Sequence, residues 1–331
     1  MPRETTMVFS VVMALVLLGI LMVFSTSELS PVTGSLLDRQ LRFVLIGFAA
    51  MLFASRFNYH HFADKLVYRS MFFFTLLLLV LVLIPGVGTK VDGAQRWLFG
   101  FQPSELAKFT LVTLLAVKLT SNREHVKKLF RGFLPPMLTA SFFAGLVLLE
   151  RDLGVPVVMM GVAAIMACVA GVRWIYLGAS VVPLAGAVTS LIIFWPHRAV
   201  RILAFLRPWD HREDAGWQLI QSMSAFAQGA LLGRGAGASE QKLGYLPAAH
   251  TDFIFAVVGE ELGLAGTLTL VLLFGLLLYA ACRIAMNAPD LFGCLMATGI
   301  AGLIGVQATF IMMVTTGLLP TKGLPLPFIS Y

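Results

Sequence analysis

Charged residues are scarce in this chain. Asp, Glu, Lys and Arg make up 12% of its 331 residues, about half the share in a soluble domain. With 58% hydrophobic residues and a mean hydropathy of +0.87, that scarcity excludes a water-soluble globular enzyme and leaves a polytopic membrane protein. Cysteine is nearly absent as well. Cys168, Cys282 and Cys294 fall in or beside apolar runs and have neither the spacing of a disulfide framework nor that of a metal motif. They read as small core residues. The net charge of +7 is not a nucleic-acid footprint, because a Lys/Arg excess in a membrane protein marks cytoplasmic loops. No cleaved leader is expected, since the first apolar run, Met7 to Phe24, is too long for a signal-peptide core and no convincing cleavage site follows it.

Long apolar runs are what the chain has instead. A bilayer crossing takes about 17–25 residues, and nine candidates stand at about 7–26, 41–57, 69–84, 104–120, 133–149, 155–171, 173–195, 253–281 and 289–319. The expected fold is an all-α polytopic membrane protein with nine transmembrane helices in a single domain over residues 1–331. Basic residues orient it. Arg56, Lys65 and Arg69 flank one loop, Arg123, Lys127, Lys128 and Arg131 fill another, and Arg173 and Arg283 mark two more. The alternate loops are poorer, so the N-terminus is assigned to the cytoplasm.

Two extracytoplasmic segments are long. One, about 85–103, carries Gly86, Gly88, Gly93, Trp97 and Gly100. The other, about 196–252, lies between helices 7 and 8 and is the only stretch that reads as soluble. Within it Trp217, Ile220, Met223 and Phe226 recur at helical spacing, which suits a short helix lying in the interface. A glycine-rich link follows through Gly229, Gly233, Gly235, Gly237 and Gly244. The chain stops at Ile329-Ser330-Tyr331, in mid-loop, and is expected to be truncated there.

Three constellations carry chemistry. His250-Thr251-Asp252 stands at the mouth of an apolar run, with Glu260 and Glu261 two turns further in. Carboxylates so close together in a membrane segment are costly and usually functional, although Asp252 alone is also an ordinary helix N-cap. At 1.5 Å per residue, Asp252 and Glu260 stand roughly 12 Å apart along a helix, beyond the ~5–9.5 Å of two-carboxylate glycosidases. A single general base, Asp252, is therefore the better reading, with Glu260 and Glu261 forming a buried structural cluster. The second constellation is Gln102-Pro103-Ser104-Glu105-Leu106-Ala107-Lys108. Pro103 opens a helix, and Glu105 and Lys108, three residues apart, face each other as an intramembrane ion pair. Third, the basic residues Lys90, Arg96, Arg198, Arg201, Arg207, Arg234, Lys242 and Lys322 are together suited to binding a diphosphate.

These residues carry a resemblance. Arg96-Trp97 with Gln102 to Lys108, the segment Gly237 to Pro247 containing Gln241-Lys242, the segment Leu246 to Gly263, and Leu319 to Tyr331 containing Lys322 resemble the SEDS family (shape, elongation, division, sporulation). Tyr245-Leu246-Pro247-Ala248-Ala249-His250 and Leu319-Pro320-Thr321-Lys322-Gly323 look like its division branch, FtsW, rather than its elongation branch, RodA. The resemblance implies ten transmembrane helices, the last missing here, and polymerisation of lipid II into peptidoglycan glycan strands. It also implies a class B penicillin-binding protein transpeptidase as partner, other membrane proteins of the division machinery, and a place in the bacterial cytoplasmic membrane at the division septum. It makes Asp252 the catalytic residue and Glu105/Lys108 a functional pair. Arg96, Trp97, Arg207, Gln241, Lys242, His250 and Lys322 are the expected substrate-binding or supporting residues.

The expected reaction is inverting glycosyl transfer. Asp252 deprotonates the acceptor hydroxyl, and the leaving diphosphate needs positive charge from arginines or a divalent cation such as Mg or Mn. Two rivals stand beside it. A flippase for the same lipid would place polar groups on broken helices near the midplane. A non-catalytic division scaffold would make Asp252 dispensable.

Overall fold

The computed structural model describes the chain apart from residues 1–2, 28–33, 92–93, 195, 214–215, 244 and 331. Gly93, Gly244 and the side chains of Lys90 and Arg198 therefore lie outside the described residues. The helices are α1 (Arg3–Ser27), α2 (Gly34–Arg56), α3 (Lys65–Leu83), α4 (Pro103–Ser121), α5 (Leu134–Leu149), α6 (Gly154–Val169), α7 (Trp174–Phe194), α8 (Pro196–Leu206), α9 (Trp217–Gly229), α10 (Ile254–Met286) and α11 (Leu291–Thr315). Five helical segments are long and apolar enough to cross a membrane: Arg3–Thr26, Lys65–Leu83, Leu129–Leu149, Ile254–Met286 and Leu291–Thr315. This is a multi-pass membrane protein. The helices on the other apolar runs differ for identifiable reasons. α2 carries Asp38, Arg39 and Arg42, α4 carries Glu105, Lys108 and Lys118, and α6 is 16 residues long.

The all-helical expectation needs one amendment. In the glycine-rich stretch before α4, β1 (Thr89–Val91) and β2 (Ala94–Trp97) pair antiparallel. Asp92-Gly93, between the two strands in the sequence, is a strong hairpin signal that a search for apolar periodicity passes over. The amphipathic piece expected near 217–226 is the 13-residue helix α9.

The chain forms two compact units. One comprises residues 1–57, 185–280 and 307–331, the other residues 58–184 and 281–306. In the first, α1 packs on α2, with Phe9 and Phe48 rings 6.2 Å apart, and Leu15, Met22, Ile254 and Leu270 are fully buried. In the second, α3, α4, α5 and α6 pack together. Thr75 of α3 and Thr110 of α4 share a buried 2.8 Å hydrogen bond, and a Cβ on Gly299 would overlap Val112 and Met166. With no hydrophobic drive between helices in lipid, small residues and interhelical hydrogen bonds of this kind hold membrane helices together.

Candidate functional site

The first unit is organised around a break in α10. Gly263 has φ 64° and ψ −160°, a region open only to glycine, so the helix stops at Leu262 and restarts at Leu264. The break strands backbone groups inside an apolar environment, where each must find a partner. The segment after α9 supplies them. Arg234 and Gly235 donate their N–H groups to the Glu260 and Glu261 carbonyls, both at 3.0 Å, while Leu264 and Ala265 donate to the Ala230 and Leu231 carbonyls at 3.0 and 3.2 Å. Backbone approaches this close leave no room at Gly229, where a Cβ would run into the Gly259 carbonyl.

Glu260 and Glu261, both fully buried, sit immediately before the break and face inward. Glu260 accepts from Ser239 Oγ, from the Glu240 N–H at 2.9 Å and from the Gln241 N–H at 3.3 Å, and Arg234 Nη1 lies 3.5 Å away. Glu261 accepts from Ser25 Oγ at 2.6 Å and from Lys242 Nζ at 3.1 Å. Lys242 also donates to Ser25 O, Ser25 Oγ and Gly237 O at 3.0, 2.9 and 2.7 Å, and its side chain is 2% exposed. The two carboxylates thus anchor residues 237–242 to α1 and α10. Lys242 is an internal strut, and the structure takes it out of the set of solvent-facing cations.

The anchored segment leads to Asp252. Trp217 Nε1 of α9 donates to the Tyr245 carbonyl at 2.8 Å, and the Leu246 N–H donates to the Gln241 carbonyl at 2.9 Å. Gln241 is buried. Ala248 adopts φ 56°, and its carbonyl accepts from the Thr251 and Phe253 N–H groups at 3.1 and 3.2 Å. This turn presents Thr251-Asp252 just ahead of α10, which begins at Ile254, one residue later than expected. Asp252 and His250 are half-buried, and burial pushes the His250 pKa down, favouring the neutral imidazole. On the other side lies residues 319–330. A Cβ on Gly323 would collide with the Asp252 carboxylate, so the Lys322-Gly323 backbone forms the wall of that side chain. Ser330 Oγ donates to the Thr251 carbonyl at 2.6 Å and accepts from the Leu326 N–H at 2.8 Å, and Gln307 Nε2 donates to the Pro325 carbonyl at 2.8 Å. Arg207 is exposed at the end of α8.

The other expected site residues, Arg96, Trp97, Glu105 and Lys108, belong to the second unit. Lys108 Nζ lies 2.8 Å from Glu105 Oε2. The lysine is 6% exposed and the glutamate 43%, so the pair runs from the helix interior to its surface. Trp97 is partly exposed at the end of β2. Arg96 meets two residues that the sequence reading passed over. Its Nη1 is 3.5 Å from Asp152 Oδ2, and its Nη2 donates to the Arg151 carbonyl at 3.4 Å. Glu150 and Asp152 are both 1% exposed. Asp152 accepts from the N–H of Gly154, the first residue of α6, at 2.9 Å, while neither Glu150 oxygen has a hydrogen-bond partner among the described residues. Burial, then the Asp152 charge, push the Glu150 pKa up to about 8 against the pull of Arg96. The signal was present in Glu150-Arg151-Asp152, three charges in a row between two apolar runs.

This geometry can be set beside known proteins. The FtsW/RodA/SpoVE family of cell cycle proteins matches residues 5–331. The chain belongs to this family, the SEDS proteins. It is 42% identical over 329 residues to a probable peptidoglycan glycosyltransferase FtsW of Trichlorobacter lovleyi, covering 97% of this chain and 86% of that one. It is 39% identical over 336 residues to the stage V sporulation protein E of Bacillus subtilis, covering 97% and 90%. Among solved structures, a chain from a peptidoglycan synthase complex that coordinates polymerization and crosslinking superposes with a TM-score of 0.81 at 29% identity, covering 98% of this chain and 90% of that one. Within the family, the chain is FtsW-like.

Proposed function

We propose that this FtsW-like peptidoglycan glycosyltransferase polymerises lipid II by inverting transfer with Asp252 as the single general base. The observation that carries the reading is the division of labour among three neighbouring carboxylates. Glu260 and Glu261 are fully buried and hydrogen-bonded, with Glu261 Oε2 alone of their four oxygens lacking a partner among the described residues, whereas Asp252 is partly exposed on a turn that those two anchor through residues 237–246. A base must reach the proton it removes, and Asp252 alone of the three is placed to do so. It takes the proton of the acceptor hydroxyl as that oxygen attacks the anomeric carbon of the donor, and the polyprenyl diphosphate departs. Arg207 and Lys322 supply counter-charge to the diphosphate. No group of three or more His, Cys, Asp or Glu side chains gathers among the described residues. This suits a divalent cation carried by the substrate phosphates and one carboxylate, as magnesium usually is. In the second unit, Arg96, Trp97, Glu105 and Lys108 are the proposed supporting residues.

In this reading nine helices of the chain cross the cytoplasmic membrane with the N-terminus inside, and α8, α9 and residues 230–253 lie on the extracytoplasmic face at the division septum. The basic loops at 123–131 support that orientation. The partner is a class B penicillin-binding protein transpeptidase, supported by a structural neighbour that comes from a complex joining polymerization to crosslinking. Purified protein with that partner and lipid II tests the reading. Asp252→Asn should cut strand synthesis by about 10²–10⁴-fold without changing thermal stability, and retained synthesis would overturn it.

The break at Gly263 favours a second reading, since flippases and other transporters use broken helices. Against it, the ends freed by the break are capped from within the chain and the adjacent carboxylates are already paired. Lipid II translocation in liposomes by Asp252→Asn at the wild-type rate would revive it.

A further inference from the structure

One groove of the second unit is lined by none of the residues assigned above to glycosyl transfer. It opens where the start of α3, the end of α4 and the start of α5 come together, and it has a volume of about 730 Å³, within the ~300–1,000 Å³ of ligand sites. Phe72, Phe73, Leu138 and Phe142 form its apolar walls. The Phe72 ring meets Phe73 edge-on at 5.2 Å and Phe142 at 6.3 Å. Phe73, Leu138 and Phe142 are 64%, 58% and 45% exposed, so the groove is open along its length to the hydrocarbon around the protein.

Its polar end is cationic. Arg69 and Lys118 line it, and none of the lining residues is acidic. Lys118, in the last turn of α4, donates to Thr139 Oγ1, and that hydroxyl passes its own proton to the Pro135 carbonyl at 2.9 Å. Two of the three ammonium donors remain for another partner. Among the described residues, neither Lys118 nor Arg69 has a carboxylate within ion-pair distance. A lysine near the end of a membrane helix whose protein partner is a neutral hydroxyl is an expensive arrangement unless an anion completes it. An adjoining polar cavity of about 680 Å³ shares Pro135 and adds Arg123 and Arg131, with Glu124 on its wall.

We propose that this groove is a binding site for one anionic glycerophospholipid, its phosphate between Arg69 and Lys118 and its acyl chains along Phe73, Leu138 and Phe142. Basic pockets between membrane helices recognise anionic head groups in this way. Two cations match a single phosphodiester, and a wide aromatic wall open to the bilayer matches two acyl chains. The site goes beyond the polymerase reading and does not depend on it.

The test is native mass spectrometry of the full chain released from nanodiscs of phosphatidylcholine with a minority of phosphatidylglycerol. Wild type should retain one phosphatidylglycerol, and Arg69→Gln with Lys118→Met should lower that retention at least tenfold. Because Lys118 is half-buried and its replacement can disturb folding, Arg69→Gln alone and the groove-filling Leu138→Trp are measured too. Each should weaken retention several-fold while melting in pure phosphatidylcholine stays at the wild-type temperature. Equal retention of phosphatidylcholine, unchanged retention in all three variants, or displacement of phosphatidylglycerol by equimolar polyprenyl diphosphate would each overturn the proposal.

Discussion

The two units bury a pair of acidic residues each, and they treat them in opposite ways. Glu260 and Glu261 are met by Ser25, Arg234, Ser239, Lys242 and three backbone N–H groups. Asp152 is met by Arg96 at 3.5 Å and by the Gly154 N–H, whereas Glu150 receives no hydrogen bond among the described residues. A buried carboxylate is tolerated when donors replace water, and otherwise it holds its proton. The first pair is therefore a structural anchor. In the second, burial holds the proton on Glu150, next to the Arg96 of the family-like Arg96-Trp97 motif.

The largest expected effect breaks the well-served pair. Lys242→Met leaves Glu261 buried without its cation, which costs about 3–5 kcal/mol, read as a large fall in the detergent melting temperature. Adding Glu261→Gln to the same chain should recover part of the loss. The next effect concerns Glu150 and is pH-dependent. Glu150 releases its proton near 4.5 when unfolded and near 8 when folded. Below about 4.5 both states are protonated and the group is neutral to stability. Between those values the folded state binds more protons, so stability falls as pH rises, by about 1.4 kcal/mol per pH unit, and is then level above about 8. Glu150→Gln should flatten melting temperature against pH over that window, and a slope unchanged from wild type would show that Glu150 titrates normally.

Smaller again is Gly263→Ala. Forcing a side chain into φ 64° and ψ −160° costs about 1–3 kcal/mol before the overlap of the new Cβ with the Gly233 backbone nitrogen is relieved, and it should lower the melting temperature while reducing strand synthesis, because the break positions the anchor of residues 237–242. The smallest effect belongs to the exposed partner of Arg234. Glu240→Gln removes an ion pair of 2.8 Å at the surface and should leave melting unchanged, since such pairs are screened by solvent.

Several of these features were legible before any coordinates. The apolar runs located the helices because bilayer thickness imposes their length. The period of Trp217, Ile220, Met223 and Phe226 located α9, and the i, i+3 spacing of Glu105 and Lys108 placed the two side chains on one face of α4. Each of these depends on residues near one another in sequence. The hairpin at Thr89–Trp97 was equally local and was missed because its signal is a turn dipeptide rather than a period.

What the sequence determined by itself is the membrane class and the position of most helices. What only the tertiary structure decided is who serves each acid. Ser25 lies 236 residues from Glu261, Lys242 turns inward although its neighbours suggest an exposed loop, and Gly323 comes against Asp252 from the far end of the chain. The physical reason is that helix length and facing are set by local backbone geometry. The cost of burying a charge is set by whichever donors folding brings to it, and no spacing rule in the chain records them.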